Sequence, residues 1–147
     1  MKKIKLVLKK IINLSLFKPI IICLLRNKLI NKRFKNLIEL SGMHYVHKSK
    51  IKVYNDSKDA VTRDLCIFGI PKKEKKIFNK FIFEVNNAKS FLDIGAGIGL
   101  YTLFALKINN QISTLSIEPN PEVFITLNKN LEINSSSSQM IKTLNKA

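Results

Sequence analysis

A chain of 147 residues that is 46% hydrophobic and 24% charged is one domain's worth with a real core, which excludes disorder throughout. Lys and Arg number 26 against 10 Asp and Glu, unevenly placed: residues through Ala88 carry 21 basic and 6 acidic side chains, and Lys89 onward carries 5 and 4. A basic patch suits nucleic acid or an anionic membrane. Only three of the cations are arginines, Arg26, Arg33 and Arg63, and neither an RRM-like aromatic signature nor zinc-finger spacing accompanies them, so specific nucleic-acid binding is not expected. The Lys, Ile and Asn bias is also what an AT-rich coding sequence produces without selection for a partner.

Met1 to Leu16 sets Ile4, Val7, Leu8, Ile11, Leu14 and Ser15 along one helical face, with Lys2, Lys5, Lys9 and Asn13 opposite, until Pro19 interrupts. The most apolar stretch, "IINLSLFKPIIICLL", holds Lys18 and Pro19 at its centre and is shorter than the roughly 20 residues a membrane span needs. No small-x-small cleavage site follows it, only "RNKLINKRFKNL", which argues against a signal peptide. Residues 1–41 thus read as a basic amphipathic helical region, lying against a membrane surface or packed on the domain; amphipathicity alone fits both.

Residues 42–88 lead into the domain. Gly42 reads as a helix stop, "KIKVYN" and "LCIFGI" as short strands, and "NDSKD" between them as a turn. From Pro71, "PKKEKKIFNKFIFEV" reads as a helix with Ile77, Phe78, Phe81, Ile82 and Val85 on the face that covers the following sheet. His44 and His47, three apart in a strand, face opposite sides, so no metal or catalytic pair is expected. Cys23 and Cys66 supply neither a disulfide framework nor a zinc site and read as small buried apolar residues, which fits a reducing cytoplasmic compartment.

Residues 89–147 alternate: "SFLDIG" is a buried strand, "IGLYTLFALKI" a helix, "TLSIEP" a strand, "NPEVFITLNKNLEI" a helix, and "QMIKTLN" a third strand after a loop at Ser135–Ser138. That beat predicts an α/β fold with a parallel, Rossmann-like sheet and right-handed crossovers.

Three of the chain's five glycines, Gly95, Gly97 and Gly99, fall in the first strand-to-helix turn, where ligands of such sheets bind. Glycine there admits close backbone approach and positive φ, and the helix start offers N–H donors. Glu118 ends the next strand, close to the roughly 20-residue offset at which an acid meets a ribose diol. The dinucleotide fingerprint also asks for glycine at its sixth position, and here that position is Leu100, which disfavours an NAD-dependent oxidoreductase.

"FLDIGAGIGLYT" followed by "SIEPNPEVFITLNKNLEIN" resembles the cofactor-binding half of class I S-adenosylmethionine-dependent methyltransferases, and closely the FkbM type. In that type a D-x-G-A-x-x-G-x-Y-(S/T) loop precedes an E-P-N-P-x-x-F-x-x-L-x-x-N segment and an N-K-A strand end, matched here at Asp93–Thr102, Glu118–Asn130 and Asn145–Ala147. Family members often carry asparagine where Gly97 stands. The resemblance implies an incomplete Rossmann-like methyltransferase fold, its first three strands and two helices preceded by basic helices and short strands. It implies a cofactor, S-adenosylmethionine, held by Asp93, Gly95, Ala96, Gly97, Gly99 and Glu118. The glycines would admit the methionine part and Glu118 the ribose hydroxyls. Asp93 would either hold the loop or reach the methionine amino group, and Asn120 and Pro121 would start a helix.

The activity implied is O-methylation of a hydroxyl on a sugar, glycolipid or polyketide-like acceptor, with no catalytic residue and no metal ligand assigned. A complete fold of this class has a larger sheet, so a truncated or split methyltransferase is expected. A contrasting reading is an inactive remnant whose basic start binds anionic membrane.

Overall fold

The computed structural model describes residues 2–56, 59–136 and 139–146. At the start of the chain, helix α1 (Lys2–Ile12) and helix α2 (Phe17–Arg26) are separated by residues 13–16, so the break falls ahead of Pro19 rather than at it. Pro19 is the third residue of α2, in the first turn, where main-chain N–H groups lack an intrahelical acceptor and the missing donor costs nothing. A 3-10 turn, Lys32–Leu37, follows, opened by the Asn31 side chain accepting from Arg33 N. Ile12, Leu25 and Ile38 are buried, giving this region an inner face on the domain.

Two expectations for the middle segment are corrected. Gly42 does not stop a helix: the helical run has ended by Leu37, and Gly42 sits with φ +88° inside strand β1 (Ser41–Tyr45), which pairs antiparallel with β2 (Lys52–Asp56). "LCIFGI" is not a strand but closes helix α3 (Ala60–Phe68). The Asp59 side chain caps it, accepting from Val61 N and the Thr62 hydroxyl, and Thr62, Leu65, Cys66 and Ile67 are buried. A short apolar run fits strand or helix equally, and the cap decides. Gly69, at φ +74°, ends the helix where a Cβ would meet the His47 carbonyl oxygen at 2.9 Å.

Pro71 opens a short 3-10 turn (Lys72–Glu74) that runs into helix α4 (Lys75–Asn86). Phe78 and Val85 are buried and Phe81 and Ile82 half-buried, as the spacing predicts; Ile77, by contrast, is exposed.

The last segment follows its expected order: β3 (Ser90–Ile94), α5 (Leu100–Ile108), β4 (Ser113–Ile117), α6 (Pro121–Asn134) and β5 (Ile141–Leu144). The strands form a parallel sheet in the order β3-β4-β5, a Rossmann-like arrangement. Phe91 and Asp93 of β3 and Thr114 and Ser116 of β4 are half-buried or buried, whereas Leu92 and Ile94 stand 53% and 74% exposed. The strand expected to be buried is therefore covered on one face only.

α4 runs beside α5, joined by edge-to-face contacts of Phe78 with Phe104 and of Phe81 with Tyr101. One apolar cluster extends from Ile12 and Leu25 through Val53 and Ile67 to Leu103 and Leu127. Among the described residues, no helix is long and apolar enough to cross a membrane. Part of the turn expected at 55–59, part of the serine run and Ala147 lie outside the described residues.

Candidate functional site

The turn between β3 and α5 lies at the carboxyl ends of the parallel strands. Gly95, Gly97 and Gly99 have φ of +73°, +57° and +86°, values that an L side chain resists. At Gly95 and Gly97 a Cβ would meet nothing within 4 Å, so these two leave open space above the loop. Gly99 differs. It is buried, and a Cβ there would lie 2.5 Å from Leu127 Cδ1, so its bareness lets α6 approach the loop and does not make room for a ligand. The residue before Leu100 thus provides the close packing at this turn.

The loop is held from below by its own N–H groups. Gly95 N and Ala96 N both donate to Ile117 O at 2.9 Å, Gly97 N donates to Glu118 Oε2 at 2.8 Å, and Gly99 N donates to Ala96 O at 2.9 Å. These four donors are spent inside the protein, so the turn is not the phosphate cradle that a free set of N–H groups would make.

Glu118 sits just past β4, only 7% exposed, with one carboxylate oxygen on Gly97 N and the other accepting from Asn120 N at 2.9 Å. It bridges the glycine loop to the start of α6. A carboxylate has about four acceptor positions, so each oxygen retains capacity for a further donor. Asn120 caps α6, accepting from Glu122 N and Val123 N, with Pro121 in the first turn, as expected from the sequence. The side chain of Asn145 donates to Glu118 O at 2.7 Å and to Pro119 O at 3.0 Å, closing this end of β4 from the β5 side.

Asp93 is tied into the fold beneath the turn. Its Oδ2 accepts from the Thr102 hydroxyl at 2.6 Å. A hydroxyl has one proton to give, so the 2.8 Å contact between Thr102 Oγ1 and Ser116 Oγ has Ser116 as donor. The chain Ser116, Thr102, Asp93 ties β4, α5 and β3 together under the turn. Burial pushes the Asp93 carboxyl above the usual range, and hydrogen bonds from the Thr102 side chain and main chain oppose that shift.

Thr102, Ser116 and Asn130 carry roles that the sequence reading did not assign. Asn130, fully buried, donates to Ile98 O at 2.9 Å and accepts from Tyr54 N at 2.7 Å, joining the glycine loop to β2. One turn on, Asn134 accepts from Lys52 N at 2.9 Å and donates to Lys52 O at 2.7 Å. The available signal was two asparagines four apart on one helix, a spacing that puts both on one face.

His44 and His47 do not meet as a pair in one strand: His44 lies in β1, with Nε2 3.0 Å from Ser41 O, and His47 lies beyond the strand's end. Burial, followed by Arg26 and Lys48, holds the His47 imidazole below its usual value. Cys66 is buried, but Cys23 is exposed on α2, correcting the expectation for that residue. Among the described residues, no group of three His, Cys, Asp or Glu side chains is arranged to hold a metal ion.

A parallel three-stranded sheet with helices between its strands and a glycine turn after the first is a Rossmann-like architecture. The structure of TYW2 from M. jannaschii in complex with AdoMet is similar to this chain over 72% of its residues and 45% of that protein's, at 18% identity and a TM-score of 0.50. A Staphylococcus aureus protein described as a caffeoyl-CoA O-methyltransferase is similar over 52% of this chain and 36% of its own, with 23% identity and a TM-score of 0.40. A Streptococcus mutans protein described as a SAM-dependent methyltransferase covers 72% and 27%, with 14% identity and a TM-score of 0.45. The chain thus spans less than half the length of each. No family model matches the sequence, and no curated protein matches it.

Proposed function

We propose that the unit formed by β3 to β5 binds S-adenosylmethionine, and that the protein it belongs to is an FkbM-type methyltransferase acting on a hydroxyl of a sugar, glycolipid or polyketide-like acceptor. The carrying observation is the Glu118 carboxylate: buried, at the end of β4, and hydrogen-bonded to Gly97 N. A carboxylate in that position, with acceptor capacity to spare, supports a role in holding two ribose hydroxyls.

The residues fit this cofactor better than a dinucleotide. A pyrophosphate needs free N–H donors at the turn, and those of Gly95, Ala96, Gly97 and Gly99 already have acceptors in the protein. The open space above Gly95 and Gly97 admits a ligand portion without phosphate. Glu118 would hold the ribose, Gly95, Ala96 and Gly97 would lie along the methionine portion, and Asp93 and Gly99 would support the turn from below. When bound, the cofactor supplies a methyl group on a sulfonium centre; transfer to an acceptor oxygen depends chiefly on positioning.

Isothermal titration of the folded chain with S-adenosylmethionine tests the reading. Saturable heat is expected, with affinity falling about tenfold or more in Glu118→Ala, by loss of charge-assisted hydrogen bonds worth ~1.5–3 kcal/mol. Absence of binding at millimolar cofactor, or stronger binding of NAD, overturns it.

A further inference from the structure

The N-terminal helices are tied to the domain along one side. Ile12 and Leu25 are buried, and Asn13 donates to Leu37 O and accepts from Glu39 N, both at 2.7 Å. Lys9 pairs with Glu39 at 2.5 Å, and Arg26 donates to Ile67 O at 2.7 Å and Cys66 O at 3.1 Å. The helices are therefore pinned, and among the described residues a set of their apolar side chains is turned outward. That outward side is apolar: Val7, Ile11, Leu14, Leu16, Phe17 and Ile20 are each between 41% and 72% exposed.

Isolated exposed aliphatic residues are ordinary, but a run of them along two successive helices is not. Its electrostatic setting is equally one-sided. Residues 1–38 contain eleven Lys and Arg and no Asp or Glu; Glu39 is the first acid of the chain. Packing on the domain and lying against a membrane surface are the two readings of this amphipathic start; Ile12 and Leu25 pack inward, and the exposed aliphatic side chains leave the other side of the helices available for a surface.

We propose that α1 and α2 dock this protein, lying flat, on an anionic lipid bilayer. The exposed aliphatic and aromatic side chains enter the boundary between headgroups and acyl chains, while the surrounding lysines meet the phosphates. The combination selects this partner. Nucleic acid would satisfy the cations but leave the apolar stripe in water, and a neutral apolar protein surface would offer no counter-charge to a lysine-rich segment in which Lys9 and Lys35 pair with Glu39 and Asp64. Neither helix is long enough to span, so the segment rests in the interface.

Co-sedimentation of the full chain with vesicles of phosphatidylcholine alone, or containing about one third phosphatidylserine, tests the proposal. The expected result is binding to the anionic vesicles only, weakened by salt and reduced roughly tenfold or more in an Ile11→Asp, Ile20→Asp double variant. Both positions are exposed, so circular dichroism should show an unchanged fold. An environment-sensitive maleimide placed on exposed Cys23 gives an independent readout, because Cys66 is buried and its thiol is pushed up to about 11. Its emission should shift blue with anionic vesicles.

No binding, equal binding to neutral vesicles, or undiminished binding by the double variant overturns the proposal. So does a wild-type dimer that the double variant loses without lipid, since the stripe would then belong to a second copy. Full displacement from vesicles by an oligonucleotide, with no blue shift at Cys23, assigns the cations to nucleic acid and overturns it as well. None of these outcomes depends on whether the glycine turn binds a cofactor.

Discussion

The N-terminal helices and the parallel sheet both leave aliphatic side chains in water, but in opposite electrical surroundings. Around Val7, Ile11, Leu14 and Ile20 the chain is rich in lysine and free of acids; around Leu92, Ile94 and Leu144 on the open sheet face, the segment from Lys89 onward is almost balanced, with 5 basic and 4 acidic residues. Apolar exposure is thus shared, and charge distinguishes the two surfaces. The regions also differ in what holds them. Side chains gripping main-chain carbonyls pin the helices, as with Arg26 on Ile67 O, whereas a parallel ladder and the hydrogen-bonded chain Ser116, Thr102, Asp93 bind the sheet.

Breaking the joint between the glycine loop and the rest of the fold should have the largest effect. Asn130→Ala leaves Tyr54 N–H and Ile98 C=O without their side-chain partner in a partly buried setting, and is expected to cost about 3 kcal/mol in urea unfolding for the two groups together, at ~1–3 kcal/mol per orphan. Cofactor affinity should fall with it, because Ile98 lies in the turn. A loss below about 1 kcal/mol would show that α6 and β2 are joined by apolar packing instead.

Gly99→Ala ranks next, at about 2 kcal/mol, from positive-φ strain together with a clash against the fully buried Leu127. Gly97→Ala has the strain without the clash, so the difference between the two variants in thermal unfolding isolates the packing role of Gly99.

Within the sheet, Asp93 links stability to pH. Its folded carboxyl is raised by burial, so between the unfolded and folded values the native state holds more protons than the unfolded state. This group's stabilising contribution is full below the ordinary aspartate value and is lost as pH rises through the folded one. Asp93→Asn retains an acceptor for the Thr102 hydroxyl and removes the charge. It should flatten the decline in stability above the ordinary aspartate range in urea titrations at a series of pH values, and the helices, which carry no such group, should show no matching change. An unchanged slope would place the linkage elsewhere.

The β3-α5-β4-α6-β5 order was legible because each element has its own period and its own punctuation, such as Asn120 and Pro121 opening α6. Helix α3 was not legible, since "LCIFGI" is too short to show a period and its cap, Asp59, lies outside it. Gly95 and Gly97 lie in the β3–α5 turn and Glu118 just past β4, places that the order of elements makes readable. The packing role of Gly99 and the tie made by Asn130 depend on Leu127 and Tyr54, partners that proximity in sequence does not reveal.

The smallest expected effect sharpens the opening contrast. Ile20→Gln on α2 and Leu92→Thr on β3 each replace an exposed aliphatic residue with a polar one suited to its element, so each should change stability by less than about 0.5 kcal/mol. Stability alone would make the two sites equivalent. Binding to anionic vesicles should separate them: Ile20→Gln weakens it by a few-fold, since Ile20 inserts, and Leu92→Thr leaves it unchanged, since the sheet face has no excess of cations beside it. Equal weakening by both would mean that exposed apolar area, without regard to charge, governs the contact, and the distinction between the two surfaces would fall.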